Sequence, residues 1–142
     1  MGLLVDNEAT FDVTVKYVED GENLVFYEKE DKIPEGKTGG TETFTFKRVS
    51  WSDFRVMMSE SIIVSGGAIS LNPYVFMDIK FKLLLKKWSL KDKNGKPLEL
   101  NIRNIDNLNP QLCEYLNKKL DLALGTPVEN KIEKVKIEAK PI

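Results

Sequence analysis

The sequence predicts an α+β domain in which N-terminal antiparallel strands, including a hairpin, pack with about three helices. Two observations support this: apolar residues alternate with polar ones in the first 49 residues, and they recur every three or four residues through most of the rest. A chain of 142 residues has the length of a single domain. We expect that domain at 1–127, with a β-rich part at 11–49 and a helical part at 50–125, and an extended C-terminal arm at 128–142.

The β-rich part holds three segments with the two-residue period of a half-buried strand. The first segment carries its apolar residues at alternate positions: Phe11, Val13, Val15 and Tyr17. Turn residues at 19–22 and a β-branched, aromatic segment at 24–28 predict a second strand that forms a hairpin with the first. Proline and glycines make 31–40 a predicted loop, and alternation from Thr41 predicts the third strand.

The first two helices are predicted from capping residues that precede apolar positions at helical spacing. Ser50 and Asp53 have the spacing of a capping box, so we expect a helix from Trp51 to about Ile63. Its apolar stripe, which would face a core or a partner, consists of Trp51, Phe54, Met58 and Ile62. The glycine-bearing segment 65–72 is interpreted as a connection. The Asn72-Pro73 pair predicts the start of a second helix that runs through Trp88.

A third main helix is predicted from Pro110 to Leu124. The Asn109-Pro110 pair repeats the cap and proline of the second helix, and Gly125 gives the expected stop. Cys113 lies on the apolar stripe of this helix, so we interpret it as a small core residue and not as a nucleophile.

Composition argues against several classes of function. The formal net charge is −1, from 21 basic and 22 acidic side chains, so we expect no nucleic-acid partner. There is no histidine and only one cysteine, which predicts neither a zinc site nor an internal disulfide. The start of the chain lacks the pattern of a secretory signal peptide, and no apolar run is long enough to span a membrane. We therefore expect a cytosolic origin, no membrane partner and no cofactor.

No catalytic site is predicted, because the chain lacks a nucleophile motif and its acids fall on predicted solvent faces and turns. We expect a non-enzymatic protein that binds other chains. Strands near the ends of the chain could add to a neighbouring sheet, the tryptophans could anchor an interface or a core, and the methionine pair could form an adaptable surface or fill the core. The candidate partner-binding residues are Phe11, Val13, Val15, Tyr17, Trp51, Met57, Met58, Trp88, Val135 and Ile137.

The block from Lys80 to Leu124 carries a family resemblance. It has a helix ending in Lys86-Lys87-Trp88, the turn Asp92-Lys93-Asn94-Gly95-Lys96-Pro97, the segment Ile105-Asp106-Asn107-Leu108-Asn109-Pro110 and a closing amphipathic helix. This block, about a third of the chain, resembles small tailed-phage morphogenesis proteins, above all tail assembly chaperone-like proteins.

The resemblance implies a non-enzymatic role in building the virion, located in the virion or in the host cytoplasm. The chain would hold a tail protein before assembly, or join the particle as a structural component. We expect a homo-oligomer or part of a large assembly. The alternative hypothesis is a small cytoplasmic adaptor of a bacterial cell that takes a peptide strand at its sheet edge.

Overall fold

The computed structural model describes residues 3–6 and 8–124, and it confirms the α+β class. This part of the chain contains six strands and four helices. The strands are β1 (Thr10–Asp20), β2 (Asn23–Tyr27), β3 (Thr38–Lys47), β4 (Ile62–Ser65), β5 (Ala68–Leu71) and β6 (Leu85–Trp88). The helices are α1 (Trp51–Ser61), α2 (Pro73–Leu84), α3 (Ile102–Asp106) and α4 (Pro110–Leu124). The predicted C-terminal arm lies outside the described residues.

Four strands form an antiparallel sheet in the order β2-β1-β3-β6. The predicted hairpin of β1 and β2 is confirmed, with its turn at Gly21 in the left-handed region (φ 64°). The third strand begins at Thr38, earlier than the predicted Thr41. Gly39, predicted in the loop, pairs with Val18 in the strand. Only glycine fits there without a shift, because a Cβ would meet the Tyr17 carbonyl oxygen at 2.2 Å.

The core lies between one face of this sheet and the helices. Phe44 and Phe46 of β3 are fully buried there, and Leu116 and Leu120 of α4 are buried in the same cluster. Phe44 meets the Trp88 ring edge to face, with centroids 6.4 Å apart. The helix predicted from Pro110 to Leu124 is therefore confirmed, and it covers the inner face of the sheet.

The first helix is shorter than predicted and buries a different face. It ends at Ser61, because the β-branched run from Ile62 continues as the extended strand β4. The side chains that α1 buries are Asp53, Met57 and Ser61. The predicted stripe was wrong as a core face: Trp51 is 72% exposed, and Phe54 and Met58 are only half-buried.

The segment 65–72 is not a simple connection, because β4 and β5 pair across it as a second hairpin.

The predicted second helix was also too long. It ends at Leu84, and β6 then pairs with β3 at the edge of the main sheet. Leu85 and Trp88 are buried within β6, and the Trp88 Nε1 donates a hydrogen bond to the Leu98 carbonyl at 2.7 Å. Strand pairing and core contacts therefore outweigh the helical spacing of this segment.

Candidate interaction surface

The β4–β5 hairpin (Ile62–Leu71) projects from the junction of α1 and α2 as a sheet of its own. Gly66 and Gly67 form its two-residue turn with φ values of 58° and 80°. Two successive residues with positive φ are what a type I′ hairpin turn requires, and glycine adopts that conformation without strain. The local sequence therefore specifies the hairpin.

The register of the hairpin gives it one entirely apolar face. Ile62 pairs with Leu71 and Val64 pairs with Ile69, and these two pairs lie on the same side because side chains alternate along a strand. Val64 is 69% exposed and Ile69 is 70% exposed. We call these four residues the hairpin apolar face. Ile62 is 43% exposed and Leu71, at the base of the hairpin, is half-buried. Solvent therefore meets three adjacent aliphatic side chains, an arrangement that marks binding surfaces more often than scattered apolar residues do.

The base of the hairpin is fixed by both helices. The Asn72 amide donates to the Ser61 carbonyl at 2.9 Å, which closes the hairpin where the strands meet the helices. The Asn72 side chain caps α2 by accepting from the amides of Tyr74 and Val75. The Ser61 hydroxyl donates to the Met57 carbonyl inside α1. The hairpin thus leaves the body of the domain in a defined direction.

The first helix is anchored to the main sheet by a polar cluster at its start. Ser50 and Asp53 form the predicted capping box, which is confirmed. The Asp53 carboxylate also lies 2.7 Å from the Lys47 ammonium at the end of β3. Burial raises the pKa of Asp53, but the hydrogen bonds from Lys47 and Ser50 outweigh it, so the pKa lies below its usual value. Asp53 is therefore a structural residue that positions α1.

Charge is absent from the hairpin and its flanks. The 17 residues from Ser61 to Met77 include no charged side chain, in a chain of which 30% of residues are charged. The charges that bound this run, Glu60 and Asp78, are both acidic. The surface therefore offers apolar contacts and backbone hydrogen-bonding groups, and no charge.

The edges of the hairpin differ from the β2 edge of the main sheet. At β2, the outward Leu24 amide donates to Gln111 Oε1 of α4 at 2.6 Å, and the Glu28 amide just beyond the strand donates to Asp31. In the described part of the chain, neither outer edge of the β4–β5 hairpin pairs with another strand. It also lacks the lysine, proline or bulge that usually protects an edge. The hairpin is thus open to strand addition.

The predicted partner-binding residues fall into three groups in the structure. Val13, Val15, Met57 and Trp88 are buried, so they are core residues here and present no surface to a partner. Phe11, Tyr17 and Met58 are half-buried, and Trp51 is exposed and stacks on Phe54 at 5.9 Å. Val135 and Ile137 lie outside the described residues. Of the eight candidates within the described residues, five meet in or against the core cluster and three lie on α1, so these eight do not form one surface.

A shallow cleft of about 590 Å³ lies beside the β1–β2 hairpin and the C-terminal half of α4. Two of its charged groups pair with each other, since the Lys119 ammonium lies 3.0 Å from the Glu28 carboxylate, and the Lys16 ammonium donates to the backbone carbonyl of Asp31. Within residues 3–6 and 8–124, no cluster of acids or cysteine could hold a metal ion. Cys113 lies outside this cleft, and burial raises the pKa of its thiol, which disfavours the reactive thiolate. The cleft carries no recognisable chemistry.

None of the helices in the described segments has both the length and the hydropathy needed to cross a membrane. In comparisons with known proteins, no family model, curated protein or solved structure matches this chain. The resemblance to tail assembly proteins therefore rests on the residues of the 80–124 block alone.

The hairpin was missed in the sequence although two patterns indicate it. Gly66-Gly67 separates two short β-branched segments, which is the spacing of a two-residue hairpin. The long uncharged run is the second pattern. Helical spacing that continues through Ile62 and Ile63 masks both patterns, because it favours a longer first helix followed by a connection.

Proposed function

We propose that this chain is a non-enzymatic assembly protein that acts through protein–protein contacts, and that the β4–β5 hairpin is its contact element. The observation that carries this proposal is the hairpin apolar face, which is exposed, uncharged and held out from the domain by two capped helices. A domain that could bury such a face against itself would gain stability by doing so. Keeping it in solvent is consistent with a partner that covers it.

Within this class we propose a role in tailed-phage morphogenesis, in the virion or in the host cytoplasm. Support comes from the resemblance of the 80–124 block. A projecting hairpin suits both forms of the role, because it can reach a neighbouring subunit in a particle or hold a tail protein before assembly. The alternative, a bacterial adaptor that takes a peptide strand at the main sheet, is less well supported because α4 and Asp31 satisfy outward amides at and beside the β2 edge.

The test is mass spectrometry of purified particles from cells that express the whole genome encoding this chain. A fixed ratio to the major tail protein would support the structural role. Absence from particles, together with a complex containing a long helical tail protein in the lysate, would support the chaperone role. Absence from both would refute the phage role and leave the adaptor.

A matched pair of variants links the result to the hairpin. Val64→Lys places a charge on the hairpin apolar face, and Ile102→Lys makes the same kind of change on α3, where the side chain is 64% exposed. We expect the Val64→Lys chain to be lost from particles, or from the complex with the tail protein. The Ile102→Lys chain should be retained. Equal behaviour of the two variants would show that the hairpin is not the contact element.

A further inference from the structure

We propose that the β4–β5 hairpin binds the same hairpin of a second copy of this chain, with the two apolar faces in contact around a twofold axis. This inference rests on the proposed function and names its first partner. The starting observation is that the surface is complementary to itself. It offers an apolar face, and a second copy of the same element offers an identical face that can cover it.

The charge distribution favours a second copy. In a twofold contact, a side chain near the axis meets the same side chain of the other copy. Any charge there therefore meets a like charge, which lowers the affinity by several-fold to many-fold. The uncharged run from Ser61 to Met77 removes this repulsion over the whole hairpin and both helix junctions. No comparable run occurs elsewhere in this highly charged chain.

A lipid surface is the competing occupant, and the flanking charges count against it. Peripheral membrane contacts combine apolar insertion with basic residues that attract anionic headgroups. Here the charges that bound the hairpin segment are the acidic Glu60 and Asp78. They would be repelled by an anionic surface.

The contact is small, which sets the expected affinity. The hairpin has ten residues, whereas a standard interface uses about 20–30 residues on each side. We therefore expect a weak dimer that depends on concentration, of the kind that strengthens when many copies are held in one assembly.

Sedimentation velocity of the full chain, from about 1 to about 300 µM, tests the inference directly because a weak dimer dissociates within this range. We expect a shift from monomer to dimer. Ile69→Lys and Ile69→Glu should each weaken association by roughly a hundredfold, because like charges then face each other across the contact. An equimolar mixture of the two variants should restore a dimer, which a folding defect could not explain. Ile102→Lys is the control and should dimerise like the wild type.

Several results would overturn the inference. They are a wild-type chain that stays monomeric throughout, an Ile69→Lys variant that still dimerises, or a mixture of the two folded Ile69 variants that stays monomeric. A monomeric wild type that floats with neutral phosphatidylcholine vesicles, and loses this with Ile69→Lys, would assign the face to lipid. Such a failure is separate from failure of the proposed function, which depends on particle composition.

Discussion

The buried ion pair between α2 and α4 predicts a strong asymmetry between its two ends. Lys80 is 4% exposed, and its ammonium lies 2.8 Å from Asn117 Oδ1 and 3.0 Å from Asp121 Oδ1. Asp121→Ala leaves this buried ammonium with one neutral partner. A hydrogen bond to a charged group contributes about 1.5–3 kcal/mol. The Asp121 side chain is 28% exposed, which favours the lower end of that range.

The position of Asp121 reduces the loss further. An acidic side chain near the C-terminal end of a helix opposes the helix dipole by about 0.3–1 kcal/mol, and Asp121→Ala removes that term. We therefore expect the free energy of unfolding to fall by about 0.5–1.2 kcal/mol, the lower end of the hydrogen-bond range less the helix-dipole term. Urea denaturation followed by circular dichroism measures this difference, provided that the slope with urea stays unchanged.

Substitution of Lys80, the other partner of the ion pair, should cost little stability. Lys80→Met keeps an unbranched side chain beside the Phe76 ring, whose centroid is 5.2 Å from the Lys80 ammonium, and leaves Asp121 free to be hydrated. Removing one partner of an ion pair is costly when the other stays buried, but the Asp121 side chain is 28% exposed and can be rehydrated, so we expect a change within about 0.5 kcal/mol. The double variant, which carries both Lys80→Met and Asp121→Ala, should be no less stable than Lys80→Met alone. A Lys80→Met variant less stable than Asp121→Ala would refute the reasoning.

Three further predictions concern the main sheet and the start of α1. Gly39→Ala should cost about 2–3 kcal/mol in thermal or urea unfolding, because its Cβ would meet a backbone oxygen. Gly40→Ala is its control, since its Cβ would meet only the end of the Tyr17 side chain at 3.4 Å, and equal losses would contradict the account. Ser50→Ala removes the capping box and should cost about 1 kcal/mol in the same assay, whereas an unchanged stability would show that the cap contributes nothing. Asp53 has a lowered pKa in the folded state, so its contribution is complete above its unfolded value of 3.8 and is lost as pH falls through the folded value. Asp53→Asn should flatten the dependence of unfolding free energy on pH in that acid range, and an unaltered slope would count against the assignment.

Part of this fold was predictable because local chemistry and tertiary structure agree. The strands of the first hairpin alternate apolar and polar residues and are separated by turn residues, so no other element fits them as well. The same holds for the cap at Ser50 and for the proline starts of α2 and α4. In these places, pattern, propensity and capping specify one structure.

The segment from Leu85 to Trp88 could not be assigned from sequence alone. Its two apolar residues flank two lysines, a spacing of three that continues the helical pattern of α2. Whether this segment becomes a helix or a strand depends on pairing with the edge of β3 and on packing of Trp88 against Phe44. Both are contacts between segments distant in sequence. For the candidate surface, periodicity shows which residues are apolar but not whether a core or solvent meets them, so the exposure of Val64 and Ile69 has no signal in the sequence.

The hydrogen bond from the Leu24 amide to Gln111 joins residues 87 positions apart. During synthesis, β1, β2 and β3 therefore leave the ribosome well before α4, which covers the apolar face of the sheet and binds the Leu24 amide at its β2 edge. Until α4 emerges, a nascent chain exposes two apolar surfaces: the inner face of the sheet and the hairpin apolar face. When α4 packs on the sheet, the apolar face of the sheet is covered. The hairpin apolar face stays exposed in the folded domain.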